Sequence, residues 1–277
     1  MPHVEKVGSI VIVLTVLLSA ALFSVASQAV AHPTMGGAIF SQSESLNWAG
    51  YVAVSSDYSV HNATMSLIIP DTSTSGNSYA AFWVGIDGYN DNTVEQTGIL
   101  AEPSGFGHNE HTVYLVWYEF YPAAPVYASF TAQAGDYVYA SVTYEGSQTF
   151  TTSISVYTPS GQLVGTLTDT ATVSGALDDS AEWIVEAPSS STGILPLANF
   201  GTAYFGYDYT GIHTTDYASI SGLFAPMGAF SPTEIVMVNS AGQAMAVPSA
   251  VSSDGTSFYV TYEATSSHHG PHFGRAQ

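Results

Sequence analysis

The hydrophobic residues of this chain stand in short runs in which apolar and polar positions alternate. The runs are rich in Val, Ile, Thr, Tyr and Phe, residue types that favour β-strands. Turn-forming residues bound most of them, and no amphipathic helical pattern of about 12 residues or more follows the N-terminal leader. The pattern predicts an all-β sandwich or barrel, and of these we expect an antiparallel two-sheet β-sandwich of the jelly-roll or concanavalin-like type. The clearest predicted strands are 51–54, 64–69, 80–86, 113–121, 137–144, 149–157, 182–186, 203–207, 235–238 and 258–263.

The N-terminus has the features of an export signal. Residues 1–6 are short and weakly basic, residues 10–23 are continuously apolar or small, and Ala29-Val30-Ala31 fits the A-x-A cleavage pattern. An uncleaved membrane anchor is the alternative, but the polar residues near the end of the leader weaken it as a span. We therefore expect a signal peptide at 1–31, a secreted extracellular protein, and no stable membrane association after cleavage.

The remaining chain divides into three parts. Residues 32–46 contain Gly and Ser without periodicity and are predicted to be a linker or a short pro-segment. Residues 47–263 show no internal repeat and no shift in composition, so one β-sandwich domain is expected there. Residues 264–277 are rich in His and Gly and are predicted to form a disordered tail. We expect the protein to be a monomer.

Basic residues are almost absent from the chain. Lys6 and Arg275 are its only strong cations, the formal net charge at pH 7 is −20, and 9% of the residues are charged, against an average of about 25%. The negative charge therefore arises from missing bases and not from an excess of acids. In acid, a normal basic complement would create a self-repelling polycation, so we interpret the composition as adaptation to an acidic environment. Without cations to neutralise phosphates, nucleic acid is excluded as a partner.

Several classes of chemistry can be set aside. The chain has no cysteine, so disulfide and thiol chemistry are excluded. It also lacks the phosphate-binding Gly-Lys loop, the His-Glu-x-x-His zinc motif, the Gly-x-Ser-x-Gly elbow and the Asp-Thr-Gly pair of aspartic peptidases. The pair His108 and His111 is too sparse for a zinc site, and acid would protonate such ligands. We expect no metal and no cofactor.

The stretch 181–186, Ala-Glu-Trp-Ile-Val-Glu, carries two carboxyl groups on one predicted strand. Because strand side chains alternate, Glu182 and Glu186 share a face and Trp183 takes the other. Neither carboxyl group has a Lys or Arg to pair with, and burial would raise their pKa values. The simpler alternative is that both point to solvent on an edge strand.

Other polar residues also interrupt apolar strands. Trp83 and Asp87 share a face in 82–88, Glu119 shares a face with Trp117, and Gln96 lies between apolar and small residues. Each has a structural alternative: Asp87 followed by glycine is a common turn, Glu119 can be a solvated strand residue, and Gln96 a surface amide. The aromatic residues beside them would by default pack in the core.

These stretches together resemble the glutamic peptidases (eqolisins), a family of acid endopeptidases built on a β-sandwich. The similarity covers essentially all of the predicted mature chain in the family's order. It includes Asn-Trp-Ala-Gly-Tyr at 47–51, Trp-Val-Gly-Ile-Asp-Gly at 83–88, Gln-Thr-Gly at 96–98, Trp-Tyr-Glu at 117–119, Ala-Glu-Trp-Ile-Val-Glu at 181–186, Met-Val-Asn-Ser at 237–240 and Ser-Ser-Asp-Gly at 252–255.

The resemblance implies a catalytic pair, Gln96 and Glu182, acting on protein or peptide substrates. It also implies four residues that line or support the cleft: Trp83, Asp87, Tyr118 and Glu119. Two departures from the family pattern are visible. Leu100 stands where family members often carry an acid four positions after the catalytic Gln, and the segment before residue 47 is short for a pro-segment.

The residue types fit that chemistry. A carboxylate can take a proton from water and return it to a leaving amine, and a Gln amide offers uncharged N–H donors to a developing oxyanion. Trp183 and the Tyr-rich strands are expected to line a cleft for an extended peptide. Two alternatives remain: a glycoside hydrolase that uses Glu119 and Glu182 as its acid–base pair, and a non-catalytic sugar-binding or adhesin sandwich.

Overall fold

The protein is described by a computed structural model that covers residues 41–105 and 107–264. The predicted signal peptide at 1–31, the first part of the predicted linker, and the predicted tail from residue 265 onward lie outside the described residues. Within the described ranges, no helix is long and apolar enough to cross a membrane.

The described chain is built almost entirely of strands, as the alternating pattern predicts. One four-residue helix, α1 (Tyr207–Thr210), and two short 3-10 helices (Gly107–Asn109 and Met227–Phe230) interrupt them. The strands are β1 (Gln42–Ser45), β2 (Trp48–Val54), β3 (Val60–Ile68), β4 (Ala80–Ile86), β5 (Val94–Ser104), β6 (His111–Tyr121), β7 (Val126–Ala132), β8 (Tyr137–Gly146), β9 (Thr149–Tyr157), β10 (Leu163–Thr172), β11 (Ser180–Glu186), β12 (Ser189–Ser190), β13 (Gly193–Ile194), β14 (Thr202–Gly206), β15 (Tyr217–Ile220), β16 (Leu223–Pro226), β17 (Thr233–Val238), β18 (Ala244–Pro248) and β19 (Ser257–Tyr262).

Hydrogen bonds connect 17 of these strands into one continuous sheet, and β12 pairs only with β13. The all-β class is therefore confirmed, whereas the expected division into two separate sheets is not, because the pairing runs on around the core. The strand pairs are antiparallel except β1 with β17, which is parallel. Strand β1 falls inside the segment predicted to be a linker or pro-segment.

Strand β11 lies at the centre of the part of the sheet that carries the candidate chemistry. It pairs with β2 on one side and with β4 on the other, both antiparallel. Beyond β4 the sheet continues through β5 to β6. The edge-strand interpretation of 181–186 is therefore wrong: this strand has two hydrogen-bonded neighbours, and all seven of its residues are buried.

Apolar side chains cover both faces of these central strands. On the inner face, Phe82, Val84, Trp183 and Val185 join the main core, which β8 and β9 close from the other side. The outer face carries a second, smaller cluster, defined here as the outer cluster: Trp48, Val52, Ala81, Trp83, Val94, Leu100, Trp117, Ile184 and Ile235. Two apolar faces explain why these strands are buried on both sides.

Gly50 allows β2 to pair closely with β11. It has a φ of +146°, and a Cβ at this position would lie 2.0 Å from the carbonyl oxygen of Trp183, far inside van der Waals contact. The oxygen belongs to the backbone of a central strand, which cannot turn away as a flexible side chain can. A side chain here would push β11 away from β2.

We predict that Gly50→Ala destabilises the domain by about 2 kcal/mol or more, because overpacking and an unfavourable backbone conformation add together. The measurement is urea unfolding followed by tryptophan fluorescence. Gly146→Ala is the matched control, since Gly146 also has a positive φ (+96°) but open space around its Cβ position. Equal losses in the two variants would show that backbone conformation alone matters and that the close approach to Trp183 does not.

Candidate active site

Four strands bring the main candidate residues into one row. In the strand registers Glu182 on β11 lies opposite Gly85 on β4, Gly85 opposite Gln96 on β5, and Gln96 opposite Glu119 on β6. Directly opposite residues project from the same face of a sheet. Glu182, Gln96 and Glu119 therefore share the outer face, with the single gap in the row at Gly85.

The row places Glu182 and Gln96 two strands apart. At a strand spacing of ~4.8 Å, their α-carbons are roughly 10 Å apart, so their side chains can reach toward a common point on this face of the sheet. Both side chains are buried, with 0% of Glu182 and 1% of Gln96 exposed. Among the described residues, neither carboxyl oxygen of Glu182 has a hydrogen-bond partner, and neither does Oε1 of Gln96.

A hydrogen bond joins Gln96 to Glu119. Nε2 of Gln96 donates to Oε2 of Glu119 over 2.7 Å, and Glu119 is itself fully buried. This bond occupies one N–H of the amide and orients the group, leaving its second N–H for another acceptor. Glu119 is thus an orienting partner of Gln96 and not a solvated strand residue.

Trp83 forms the surface between Glu182 and Gln96. Its six-membered ring lies over Gly85, since a Cβ at that glycine would be 2.9 Å from Cζ3 of the indole. The indole Nε1 donates to Oε2 of Glu186 over 2.9 Å, and Asn47 Nδ2 donates to Oε1 of the same carboxyl group over 3.4 Å. Glu186 therefore holds the indole in place. It lies on β11 four residues after Glu182, on the same face of the sheet.

Asp87 does not line this face but anchors the segment that leads into β11. Its Oδ2 accepts the backbone N–H groups of Leu177 and Asp178, and its Oδ1 accepts that of Asp179, at 2.9, 3.0 and 2.9 Å. A carboxyl group that receives three backbone N–H groups fixes the path of the chain. Asp87 thereby fixes where β11 begins and, through it, where Glu182 lies.

Two aromatic residues lie on the opposite face from the row. Trp183 was expected to line the cleft, and this is wrong: it is fully buried in the main core, where its Nε1 donates to the carbonyl oxygen of Thr64. Tyr118 also packs against the main core, and its hydroxyl donates to Asp169 on β10. The structure does not bring Tyr118 to the face of Gln96 and Glu182; it supports β6 from behind.

Leu100, which stands where family members often carry an acid, packs against apolar neighbours. Leu100 belongs to the outer cluster and, with Trp117 and Glu186, lines a cavity of about 10 Å³. Leu100 offers no polar group to assist Gln96, and the carboxyl group in this lining, Glu186, accepts hydrogen bonds from Trp83 and Asn47. Within the described part of the chain, that assistance comes from Glu119, in the next strand of the row.

Burial raises the pKa values of the acidic groups on this face. Desolvation raises the pKa of Glu182 well above its usual range, the Ser180 hydroxyl opposes this, and the like charges of Asp87, Asp91 and Asp179 add to it. Burial likewise raises the pKa of Glu119, although the Gln96 amide lowers it. The pKa of Glu186 rises to about 7 through burial, with Trp83 as the main opposing donor.

Sequence reasoning missed a group of carboxyl side chains beside this face. Glu95 is fully buried on the core side of β5, and neither of its oxygens has a partner in the described residues. Burial raises its pKa well above the usual range, and Asp87, Asp91 and Asp178 raise it further. Burial also raises the pKa of Asp87 to about 7 and that of Asp178 to about 6. Side-chain alternation predicts that Glu95 points to the face opposite that of Gln96. It does not predict that Glu95 is buried.

The described residues include no cluster of three or more His, Asp or Glu side chains arranged to hold a metal ion.

The chain matches the Peptidase A4 family over residues 46–262, and it belongs to that family. It is 32% identical to aspergillopepsin-2 of Aspergillus niger over 184 residues, a match that covers 58% of this chain. The matched region spans 62% of the length of that relative.

Two solved structures share this fold. Scytalido-glutamic peptidase, determined with a transition-state analogue inhibitor, superposes with a TM-score of 0.59 at 23% identity, covering 78% of this chain and 98% of that chain. Aspergilloglutamic peptidase from Aspergillus niger gives a TM-score of 0.53 at 26% identity, covering 67% of this chain and 99% of that one.

The raised pKa values predict that stability falls as pH rises from about 4 to about 7. A carboxyl group whose pKa is higher in the folded state keeps its proton there while the unfolded chain loses it, at about pH 4. The unfolded state then binds fewer protons, so the free energy of unfolding decreases with pH until the folded pKa values, about 6 to 7 for Asp178, Asp87 and Glu186, are passed. Thermal unfolding between pH 2 and 8 measures this; a maximum near pH 7 would contradict it.

Glu95→Gln tests the contribution of one buried carboxyl group, whose two oxygens have no hydrogen-bond partner among the described residues. The variant keeps the shape but cannot ionise, so the loss of Tm between pH 3 and pH 7 should be smaller than in the parent protein. Glu145→Gln, at an exposed position on β8, is the control and should leave the pH profile unchanged. If Glu95→Gln and the parent lose the same Tm over this range, Glu95 does not contribute to the pH dependence.

Proposed function

We propose that this protein is a secreted, acid-active endopeptidase in which Glu182 is the general base and Gln96 stabilises the oxyanion. The observation that carries the proposal is the row Glu182–Gly85–Gln96–Glu119, in which base and donor flank a residue without a side chain. Membership of the Peptidase A4 family and the name of the aspergillopepsin-2 relative support the coarser statement that the protein hydrolyses peptide bonds. Its substrates are proteins or peptides, and the enzyme acts as an extracellular monomer.

The reaction needs one water and no covalent intermediate. Ionised Glu182 takes a proton from a water held between Glu182 and Gln96, next to the Trp83 indole, as the water oxygen attacks the carbonyl carbon of the peptide bond. The carbonyl oxygen becomes an oxyanion that accepts the free N–H of Gln96. Glu182 then returns the proton to the amide nitrogen, the carbon–nitrogen bond breaks, and an amine and a carboxylic acid leave.

Glu119 gives the Gln96 amide its direction. An amide that rotated freely would present its oxygen or its nitrogen to the substrate with similar ease, and an oxygen there would repel the oxyanion. The 2.7 Å bond from Nε2 to Glu119 holds the nitrogen on the side of Glu119, and its second N–H faces the row. This support does not require Glu119 to transfer a proton.

The buried state of Glu182 explains how its protonation is linked to substrate entry. With the face covered, desolvation is the largest cause of the raised pKa, so in acid the carboxyl group is neutral. Partly buried Tyr89, Tyr127 and Leu195 pack against the outer cluster from three separate segments. Displacing such a segment admits water together with substrate, lowers the pKa of Glu182, and produces the base where it is used.

The glycosidase alternative fits the geometry less well. In the row, Glu119 and Glu182 are three strand steps apart, with β4 and β5 between them. Gln96 also stands between them and donates to Glu119. A mechanism that uses Glu119 and Glu182 as an acid–base pair requires no amide at this position.

Substitution of the proposed pair should reduce turnover without unfolding the domain. Glu182→Gln keeps the shape of the side chain but removes the proton acceptor, so peptide hydrolysis should fall to near background. Gln96→Ala removes one oxyanion donor and should lower kcat by about 10²–10³. The measurement is kcat and KM for a quenched-fluorescent peptide at about pH 3, together with melting curves that show the variants are folded.

Glu119→Gln should cost less than either change, because a neutral amide can still accept the N–H of Gln96 through its carbonyl oxygen. We expect a lower kcat with a nearly unchanged KM. A folded Gln96→Ala variant that cleaves peptides at the parent rate would end the proposal. If instead Glu119 and Glu182 were both essential for polysaccharide hydrolysis and Gln96 were dispensable, the glycosidase alternative would replace it.

A further inference from the structure

A second concave surface lies on the side of the core away from the candidate active site. In β8 and β9, Val138, Ala140 and Val156 point into the main core, so Tyr137, Tyr139 and Tyr157, at the alternating positions, face outward. These three rings form the floor of a groove of about 640 Å³. Its walls are the turn at 158–161 and the segment 210–214 that follows α1. We refer to this surface as the tyrosine groove.

The floor of the tyrosine groove continues into a row of aromatic side chains. Tyr157 lies opposite Tyr137, Tyr137 opposite Ile68, Ile68 opposite Tyr204, and Tyr204 opposite Tyr259. All five therefore project from the same face, along a line of about 19 Å at the usual strand spacing. Tyr204 and Tyr259 remain 39% and 38% exposed. Large exposed aromatic surfaces of this extent mark binding sites.

Hydroxyl groups border this row. On β9 and β10, four cross-strand pairs of Ser and Thr hydroxyls lie 2.9–3.0 Å apart, all on the exposed face: Thr149 with Thr172, Thr151 with Thr170, Ser153 with Thr168, and Ser155 with Thr166. The groove walls add Thr158, Thr210 and Thr214. A ligand on this surface meets flat rings next to groups that both donate and accept hydrogen bonds.

The surface offers little to an extended peptide. The floor strands β3, β8 and β9 are hydrogen-bonded to strands on both sides, so no open strand edge is available for the main-chain pairing by which sheets bind peptides. The residues lining the groove also include no Asp, Glu, Lys or Arg, and His213 is the one titratable side chain among them besides the tyrosines. A charged polymer therefore finds no complementary charge.

From these features we infer that the tyrosine groove and its aromatic row bind a neutral polysaccharide, with sugar rings stacked on Tyr137, Tyr157, Tyr204 and Tyr259 and sugar hydroxyls bonded to the neighbouring Thr side chains. The apolar face of a sugar ring packs on an aromatic ring much as other apolar surfaces do. The Tyr floor and the Thr side chains carry no charge in acid, so their contacts with an uncharged ligand do not depend on the acidic groups elsewhere. If the proposed function holds, such a surface would keep the enzyme on insoluble polysaccharide while the opposite face hydrolyses protein.

The test uses the full mature chain carrying Glu182→Gln, so that hydrolysis does not interfere. Depletion of this protein from solution by microcrystalline cellulose, chitin and insoluble xylan is measured at pH 3 and pH 5, with polygalacturonate as the charged comparison. We expect retention by at least one of the neutral polymers and little by polygalacturonate. Tyr157→Ala should weaken retention about tenfold, the loss from uncovering one stacked ring, whereas Tyr157→Phe should retain it.

A second variant, in the groove wall, keeps the inference testable if Tyr157→Ala does not fold. His213 is exposed, and its ring stacks on Tyr207 with 4.5 Å between centroids, so His213→Ala should weaken retention while the melting curve stays unchanged. Tyr58→Ala, at an exposed tyrosine outside the groove, is the control and should bind as the parent does. In the catalytically active background, all these variants should cleave a short peptide at the parent rate.

Three results would overturn the inference. The first is that no neutral polysaccharide retains the protein. The second is that folded Tyr157→Ala and His213→Ala variants are both retained like the parent. The third is that polysaccharide is not bound and Tyr157→Ala raises KM for a whole protein substrate but not for a short peptide, which would assign the groove to peptide binding. The first two results are measured by retention alone and do not depend on the proposed function, whereas the third requires peptidase activity.

Discussion

The burial of acidic side chains without any nearby Lys or Arg is the constraint on which the rest of this structure depends. Between Lys6 and Arg275 the chain has no strong cation, so a buried carboxyl group must either keep its proton or collect N–H donors. Asp87 accepts three backbone N–H groups, and Glu186 accepts the side-chain N–H groups of Trp83 and Asn47. Glu95 and Glu182 have no partner among the described residues, so for them protonation is the remaining solution. The fold is thus matched to acid at the same positions that supply its chemistry.

The row of β11, β4, β5 and β6 converts that constraint into a site. A general base and an oxyanion donor must face a common point without touching each other, and a strand between them provides this spacing only if its own residue leaves the point open. Gly85 has no side chain, and the indole of Trp83 lies over it and forms a rigid apolar surface between Glu182 and Gln96. Because all four strands are interior and paired on both sides, the spacing is set by backbone hydrogen bonds and not by flexible loops. The supporting residues then act in sequence: Asp87 fixes the start of β11, Glu186 holds Trp83, and Glu119 orients Gln96.

Local patterns in the sequence predicted the class of fold and the facing of most site residues, because side-chain alternation is a property of a single strand. Glu182 and Glu186 were correctly placed on one face, and Trp183 on the other. The expectation that Trp183 lines a cleft failed because it contradicted that same alternation. Burial of Glu182, the hydrogen bond from Gln96 to Glu119 and the anchoring role of Asp87 could not be predicted, since each depends on which strands become neighbours. Residues 87 and 178, or 85 and 182, are distant in the chain, and pairing at such separations leaves no local signal. The single continuous sheet was missed for the same reason.

The two outer surfaces of the sheet differ in how they respond to pH. The face of Glu182 carries the buried carboxyl groups Glu182, Glu119 and Glu186, whose pKa values burial raises, so its charge changes with acidity. On the other side of the core, Ser and Thr hydroxyl pairs join β9 and β10 where many surface proteins would use ion pairs. Hydroxyl groups do not titrate in this range, and exposed ion pairs would contribute little even at neutral pH. A chain without Lys or Arg between residues 6 and 275 therefore has one face whose cross-strand contacts do not depend on acidity, and this face covers the main core opposite the face of buried carboxyl groups, whose protonation does depend on it.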